Sequence, residues 1–281
     1  PSPDELVSRS SEKSTQIFDR NNTLLYTIYG DQNREFVSID KIPDYTKWAV
    51  LSAEDIEFYQ HKGLDYKGIV SAALRNLTAG GITGGASTIT QQLVRNTILY
   101  DVLGDEAYDQ TYLRKIKEIL ITMQVEQTFT KEEILQMYMN EIPLGGVNYG
   151  FQAAANAYFD KDVSELTLAE SAILAGIIQS PGVYSPLYGT NPDMADVRRN
   201  YVLDQMQKHK DLTGVTDEQI EEARNEKVVY SDKVIDIKAP HFVFYVKQLL
   251  IDEYGIDRVE RGGLKVRSEE HTSELQSRIT I

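Results

Sequence analysis

From residue 45 onwards apolar residues recur at close to helical spacing, and the stretch 80–85, with Gly80, Gly81, Gly84 and Gly85, interrupts the pattern. A chain patterned in this way must fold mainly as helices around a shared core, with a loop at the break. Trp48, Val50 and Leu51, then Ile56 and Phe58, predict a helix with Glu54 close to its end, and residues 66–77 repeat the pattern before the glycines. Beyond them, Ser87 and Thr88 can cap a helix through 91–96, because a hydroxyl there accepts from a backbone N–H that the first turn leaves unpaired. Residues 100–110, rich in Asp, Glu, Gly and Tyr, read as an acidic loop, and 112–129 as a strongly amphipathic helix. Thr130 with Glu133 and Thr167 with Glu170 form two capping boxes; the second opens a helix that Pro181 closes.

The two ends have a different texture. Residues 1–40 are polar, with 15–18 and 23–29 reading as strands around a turn at Asp19, Arg20, Asn21 and Asn22. After about residue 230, the run Ala239, Pro240, His241, Phe242, Val243 leads into a helix through Tyr254, and 262–266 looks like the start of a strand. The expected organisation is therefore an N-terminal hairpin or linker region over 1–40, a helical domain over 41–228, a connector over 229–266 and an anomalous tail over 267–281.

Bulk properties exclude several classes. A length of 281 residues is ample for a sizeable core. With 43 acidic against 29 basic residues the formal charge is -14, which argues against a nucleic-acid partner and against simple adhesion to anionic lipid. The chain has no cysteine, so disulfides and thiolate metal sites are excluded. His61, His209, His241 and His271 lack the spacing of a zinc site. No stretch approaches the roughly 18 to 20 apolar residues of a spanning helix, and no signal peptide is visible.

Two runs concentrate the chemistry: residues 54–63, Glu-Asp-Ile-Glu-Phe-Tyr-Gln-His-Lys-Gly, and 85–92, Gly-Ala-Ser-Thr-Ile-Thr-Gln-Gln. The first sets acids and a histidine beside apolar residues, and the second packs hydroxyls and amides behind glycines; such polar density suggests a sugar or phosphate site. Together they resemble the first two motifs of the peptidoglycan glycosyltransferases, glycosyltransferase family 51. Residues 114–118 (Arg-Lys-Ile-Lys-Glu), 131–140 (Lys-Glu-Glu-Ile-Leu-Gln-Met-Tyr-Met-Asn) and 198–203 (Arg-Arg-Asn-Tyr-Val-Leu) are similar to the third, fourth and fifth, in the family's order. Two departures are visible: Gln136 stands where the family often has Glu, and Ala86 sits in the small-residue run before Ser87.

The resemblance implies a mainly α, lysozyme-like, two-lobed domain that polymerises lipid II into β-1,4-linked glycan, releasing undecaprenyl pyrophosphate with inversion at the sugar carbon. It makes Glu54 the general base, its pKa raised by partial burial near Phe58 and by the charges of Asp55 and Glu57. Glu118 would hold Arg114 and Lys115, at helical spacing from it, beside the leaving pyrophosphate. Arg95 and Lys117 match phosphate-binding positions, while Ser87, Thr90, Gln91 and Gln92 offer partners for sugar or phosphate oxygens. Ser87 also has the role of helix cap open to it. His61 is placed near the cleft, as a hydrogen-bonding residue more than as a proton carrier, and Asn140, Arg198 and Arg199 read as scaffold. Mg or Mn is a family expectation, although no carboxylate cage stands out. Ile98, Leu99 and Tyr100 are candidates for lipid contact, with core packing an equal account of them.

The resemblance extends to the parent protein: a membrane anchor before Pro1, the extracytoplasmic face of the bacterial membrane, other cell-wall synthesis proteins as partners, and a connector leading toward a missing transpeptidase domain. No Ser-x-x-Lys, Ser-x-Asn or Lys-Thr-Gly set of that domain occurs after the connector. Residues 267–277 resemble instead a translated sequencing-library adapter. Two rival readings remain at this level, a lysozyme-like glycan-cleaving enzyme and an inactive wall-binding fragment; the cationic run 114–117 favours a pyrophosphate leaving group over a sugar one.

Overall fold

Thr15–Phe18 (β1) and Leu24–Ile28 (β2) pair antiparallel, and Asn33–Arg34 (β3) leads into the helical part of the chain. The computed structural model describes residues 15–28, 33–66, 87–109, 111–231, 240–254, 264–268 and 279–280. The helix expected over 66–77 and the glycine break at 80–85 therefore lie outside the described residues, apart from Tyr66.

Helix α1, Asp44–Glu54, starts after Pro43 and ends on Glu54. Helix α2, Ile89–Val94, is capped by Thr88, whose hydroxyl accepts from Gln91 N–H while the Gln91 side chain accepts from Thr88 N–H. The helix runs on through a wider π-turn, Arg95–Leu99, and a short turn, Tyr100–Leu103, followed by a 3-10 turn, Gly104–Tyr108. The acidic stretch expected to be a loop is thus largely helical. Ile98, Leu99 and Ala107 are buried in the core and tie it down, a tertiary constraint that overrides local polarity.

Five more helices complete the main body: α3 Tyr112–Thr128, α4 Lys131–Glu141, α5 Phe151–Phe159, α6 Leu168–Ile177 and α7 Met194–Lys208. Both expected capping boxes form, at the starts of α4 and α6. Helix α6 stops at Ile177, short of Pro181, which instead takes the first position of a further short helix, Pro181–Tyr184, where its missing N–H costs nothing. Every residue of α6 from Ala169 to Ile177 is buried; α1 and α7 pack against it and against each other, and α8, Asp217–Asn225, covers α6 and α7. The approach is close because position 176 is glycine: a Cβ there would lie 3.0 Å from the carbonyl carbon of Arg198. On the other side α2 packs on α3 and α4, and one apolar cluster runs through both groups of helices. Glu54, at the end of α1, lies at their junction.

A second, smaller core joins the chain's two ends. Helix α9, Pro240–Tyr254, supplies Val243, Val246 and Leu250, which pack with Ile17 of β1 and Val266 of β5, Lys265–Ser268. Strand β5 runs parallel to β1 and antiparallel to β6, Ile279–Thr280, giving the order β2-β1-β5-β6. The hairpin and the connector, read separately from the sequence, share this core; Leu264 N–H donates to Thr15 Oγ1 at 3.1 Å. Of the tail, residues 267–268 and 279–280 are described, and they pair with one another.

A two-stranded parallel pair links β3 to β4, Asn148–Tyr149, with the Arg34–Glu141 ion pair buried beside it at 2.7 Å. Gly150, just beyond β4, caps α5 with φ 80° and ψ 161°, and a Cβ there would stand 2.6 Å from the Asn140 carbonyl oxygen. That backbone region is close to glycine-only. Gly150→Ala is expected to lower the unfolding free energy by about 2 kcal/mol or more, read from urea denaturation; an unchanged midpoint would contradict the packing described.

Candidate functional site

The acid pair at the end of α1 is split by its surroundings. Asp55 is buried, and its carboxylate is fully engaged: His61 Nε2 lies 2.9 Å from Oδ1 and 3.0 Å from Oδ2, and Ile89 N–H at the start of α2 donates to Oδ2 at 3.0 Å. Since Gly63 N–H donates to His61 Nδ1 at 3.2 Å, the ring's proton sits on Nε2 and points at Asp55. An acid at a helix N-terminus is favourably placed. His61 thus braces the 55–63 turn from within, while Asp55 fastens it to the start of α2, aided by Thr88, whose hydroxyl donates to the Gly63 carbonyl at 2.7 Å.

Glu54 is left with a different environment. Its Oε2 accepts from Gln92 Nε2 at 2.7 Å, and Oε1 has no hydrogen-bond partner among the described residues. Burial pushes the Glu54 carboxyl above the usual range; the Gln92 donor and the positive charges of Arg198 and Arg95 oppose this, and Asp55 adds to it. Tyr138 of α4, fully buried, donates to Gln92 Oε1 at 3.0 Å. Burial, then the Glu54 charge, push the Tyr138 phenol well above its ordinary value, so it stays a neutral donor. Arg198 donates to the Gly176 carbonyl at 3.1 Å and stacks on Tyr201 and Tyr184, with its guanidinium carbon 4.6 and 5.6 Å from the two ring centroids. Arg95, at the start of the π-turn, keeps a buried Nε with no acceptor among the described residues.

A second cluster lies on the neighbouring helix. Glu118 is 0% exposed and takes Arg114 on one oxygen and Lys115 on the other. Lys115 Nζ also reaches Ser87 Oγ at 3.3 Å, and Arg114 Nε donates to the Asp109 carbonyl at 2.6 Å. The cap of α2 falls to Thr88, which leaves the Ser87 hydroxyl for the Lys115 ammonium.

Several sequence candidates stand elsewhere. Thr90 is buried and donates to Glu126 Oε1 at 2.5 Å, while Gln91 is spent on the capping box. Lys117 lies on the exposed side of α3, away from Glu118. Asn140 and Gln136 hold the 37–39 segment: Val37 N–H donates to Asn140 Oδ1 at 2.8 Å, and Ile39 N–H to Gln136 Oε1 at 2.9 Å, a role that a neutral amide oxygen fills. Arg199 donates to the Glu226 and Arg224 carbonyls. Ile98 and Leu99 are core, whereas α3 exposes Tyr112 (92%), Leu113, Ile116, Leu120 and Met123, a stripe on its side opposite Glu118. The periodicity of 112–129 contained this stripe, yet α3 buries a mixed face, Glu118 with Ile121, Thr122 and Val125, and leaves an apolar one exposed. Tyr138 and Arg198 reach the Glu54 site without having been singled out for it; Tyr138 stands inside the fourth motif, and that was the available signal.

Among the described residues no three carboxylates or imidazoles lie together as a divalent cation requires, and both Glu118 oxygens are already paired. The residues in view do not fit a protein-held cation. Nor is any described helix long and apolar enough to cross a membrane.

The sequence profile of the family described as "Transglycosylase" matches residues 21–207. Penicillin-binding protein 1A of Neisseria cinerea is 39% identical over 264 residues, covering 93% of this chain and 32% of that protein. The protein of the same name from Aquifex aeolicus is 39% identical over 266 residues, covering 95% and 35%. The chain thus spans about a third of the length of these relatives. The crystal structure of penicillin-binding protein 1A from Haemophilus influenzae matches with a TM-score of 0.50 at 22% identity, over 92% of this chain and 26% of that one, a likeness of fold.

Proposed function

The chain belongs to the transglycosylase family, the peptidoglycan glycosyltransferases, and from that premise we propose that it lengthens a lipid-linked glycan with lipid II. The observation that carries the proposal is a desolvated Glu54 with one oxygen unpaired among the described residues, set beside Arg95 and Arg198 and in the same fold as the Ser87–Lys115–Glu118–Arg114 cluster.

In this reading the acceptor sugar's 4-hydroxyl gives its proton to Glu54 Oε1 as its oxygen bonds to the anomeric carbon of the growing strand. The bond from that carbon to the pyrophosphate oxygen breaks, and the electron pair leaves with the pyrophosphate. A raised pKa suits Glu54 to hold the proton once it has it. Arg114 and Lys115, fixed by buried Glu118, meet the developing charge, and Arg95 offers to a phosphate oxygen its Nε, which has no acceptor among the described residues. Ser87 and Gln92 stay in the site, Ser87 beside the Lys115 ammonium and Gln92 on the base. His61, Thr90 and Gln91 act by holding the 55–63 turn and the start of α2. Lys117 serves the outward face of α3.

That outward face is proposed to meet the outer leaflet of the bacterial membrane, which keeps the lipid tails of both substrates in the bilayer. Fully burying an Ile or Leu side chain is worth about 1.5–3 kcal/mol. The double variant Ile116→Asp, Leu120→Asp is accordingly expected to weaken cosedimentation with phosphatidylcholine vesicles about tenfold or more without moving the thermal midpoint. Equal binding by both chains would remove α3 from the membrane contact. The domain division follows the same reading, with 1–40 as the hairpin region, 41–228 as the polymerising domain and 229–266, packed against the hairpin through α9, as the connector toward a further domain; other cell-wall synthesis proteins would be the parent protein's partners.

The test is to offer the chain labelled lipid II in detergent, and separately preformed glycan. Ladders that lengthen support polymerisation. Shortening of the preformed glycan would move the assignment to a glycan-cleaving enzyme, and retention of lipid II without turnover to a binding fragment.

A further inference from the structure

A glutamine amide beside a carboxylate can present either end, and only its NH2 end supports the ionised form. At Glu54 the choice is made from the far side. Gln92 Oε1 accepts from the Tyr138 hydroxyl at 3.0 Å, and its Nε2 lies 2.7 Å from Glu54 Oε2. The phenol has 0% exposure and no other hydrogen-bond partner among the described residues. Turning the amide round would let its NH2 donate to the phenol oxygen but leave the buried phenol proton without an acceptor among the described residues, and would set the Gln92 carbonyl against the Glu54 carboxylate, so the turned amide is disfavoured at both ends. Tyr138 sits on α4, Gln92 on α2 and Glu54 on α1, and the hydrogen bonds therefore join three helices that meet at the junction.

We propose that Tyr138 is a positioning residue for the glycosyl transfer: by fixing the Gln92 amide it commits Glu54 Oε2 to an acceptor role and reserves Oε1 as the atom that takes the hydroxyl proton. The inference rests on Glu54 being the base of the proposed function. With Oε2 facing a donor, a proton arriving there would displace the Gln92 bond, whereas Oε1 takes it without disturbing any bond described. Gln92 also supports the ionised form against desolvation. The other groups acting on Glu54 are Asp55 on the adjoining turn, Arg95 at the end of α2 and Arg198 on α7, and among the described residues the Tyr138 hydroxyl bonds to Gln92 and to none of these.

The sign follows from the geometry. Without the phenol the Gln92 amide is free to turn its carbonyl to Glu54, which favours the protonated carboxyl and raises its pKa. Tyr138→Phe is expected to move the acid limb of the kcat–pH profile upward by about one pH unit, to lower kcat up to about tenfold at pH values on that limb, and to leave KM for lipid II within about twofold. The same variant in a Gln92→Met background, where no amide remains to orient, is expected to show no further shift.

A titration that does not depend on turnover accompanies the kinetics: the Glu54 side-chain carboxyl of the full chain followed by 13C NMR, with Glu54→Gln to assign the signal. A Glu54 pKa higher in Tyr138→Phe than in the parent, and equal in the two Gln92→Met backgrounds, supports the proposal. An unchanged Glu54 pKa, or an equal shift with and without Gln92, overturns it whether or not the chain polymerises lipid II. A supporting titration with no glycan made by the parent would leave the positioning intact and count against polymerisation.

Discussion

Glu54→Gln is expected to reduce glycan synthesis by about 10³-fold while raising the thermal midpoint at neutral pH. The two effects have one cause. Burial raises the Glu54 pKa above its unfolded value, so the folded chain binds that proton more tightly than the unfolded chain does. Stability from this group is therefore full below the ordinary Glu pKa and is lost as pH rises through the folded value. Glutamine keeps the shape and the acceptor for Gln92 but carries no charge to desolvate. Its advantage should appear only above the ordinary Glu pKa and close as the pH is lowered toward it. Thermal melts across pH, alongside lipid II turnover, read both. A variant less stable than its parent at neutral pH would contradict the desolvated-carboxylate description, and one with full activity would dismiss Glu54 as the base.

Arg114→Met is the counterpart at the second cluster. Arg114 is one of two cations on a carboxylate with no solvent exposure, and the remaining partner, Lys115, has a side chain 37% exposed. Removing one member of a buried pair leaves charge uncompensated and costs about 3 kcal/mol, and the same change removes a cation from the proposed pyrophosphate site. Denaturation in urea should show the loss of stability, and turnover of lipid II should fall well beyond what the residual folded fraction accounts for. Lys117→Met, on the exposed side of the same helix, is expected to stay within about 0.5 kcal/mol of the parent. If Arg114→Met and Lys117→Met were equally mild, the ion pairs around Glu118 would be surface chemistry.

What could be read from the sequence follows from the range over which each signal acts. Capping boxes are local, so Thr130 with Glu133 and Thr167 with Glu170 were visible as helix starts. The end of α1 at Glu54 was likewise visible in the spacing of Trp48, Val50 and Leu51. The helicity of 100–108 was hidden, because it depends on burial of Ile98, Leu99 and Ala107 by distant helices. So was the joining of hairpin and connector, which rests on a strand pairing between residues some 250 positions apart.

The site divides in the same way. Arg114, Lys115 and Glu118 share a helical face, and their clustering could be derived from spacing alone. That Asp55 would be consumed by His61 and Ile89 while its neighbour Glu54 kept an oxygen unpaired among the described residues could not be, since the deciding partners Ile89 and Gln92 come from another element. Glu57 was expected to act on Glu54; Gln92, Arg198 and Arg95 stand among its causes instead. The apolar residues near the cleft were sought at 98–100, but two of these fill the core, and the exposed stripe belongs to α3.

The most direct measurement counts products per bond. Purified chain is incubated with lipid II, and new glycosidic linkages, released undecaprenyl pyrophosphate and free reducing sugar ends are quantified together by mass spectrometry, for the parent and for Glu54→Gln. One undecaprenyl pyrophosphate per linkage from the parent, no accumulation of free reducing ends, and neither linkage nor release from Glu54→Gln is the result predicted here. Free reducing ends accumulating without new linkages, or linkage formation unaffected by Glu54→Gln, would contradict it.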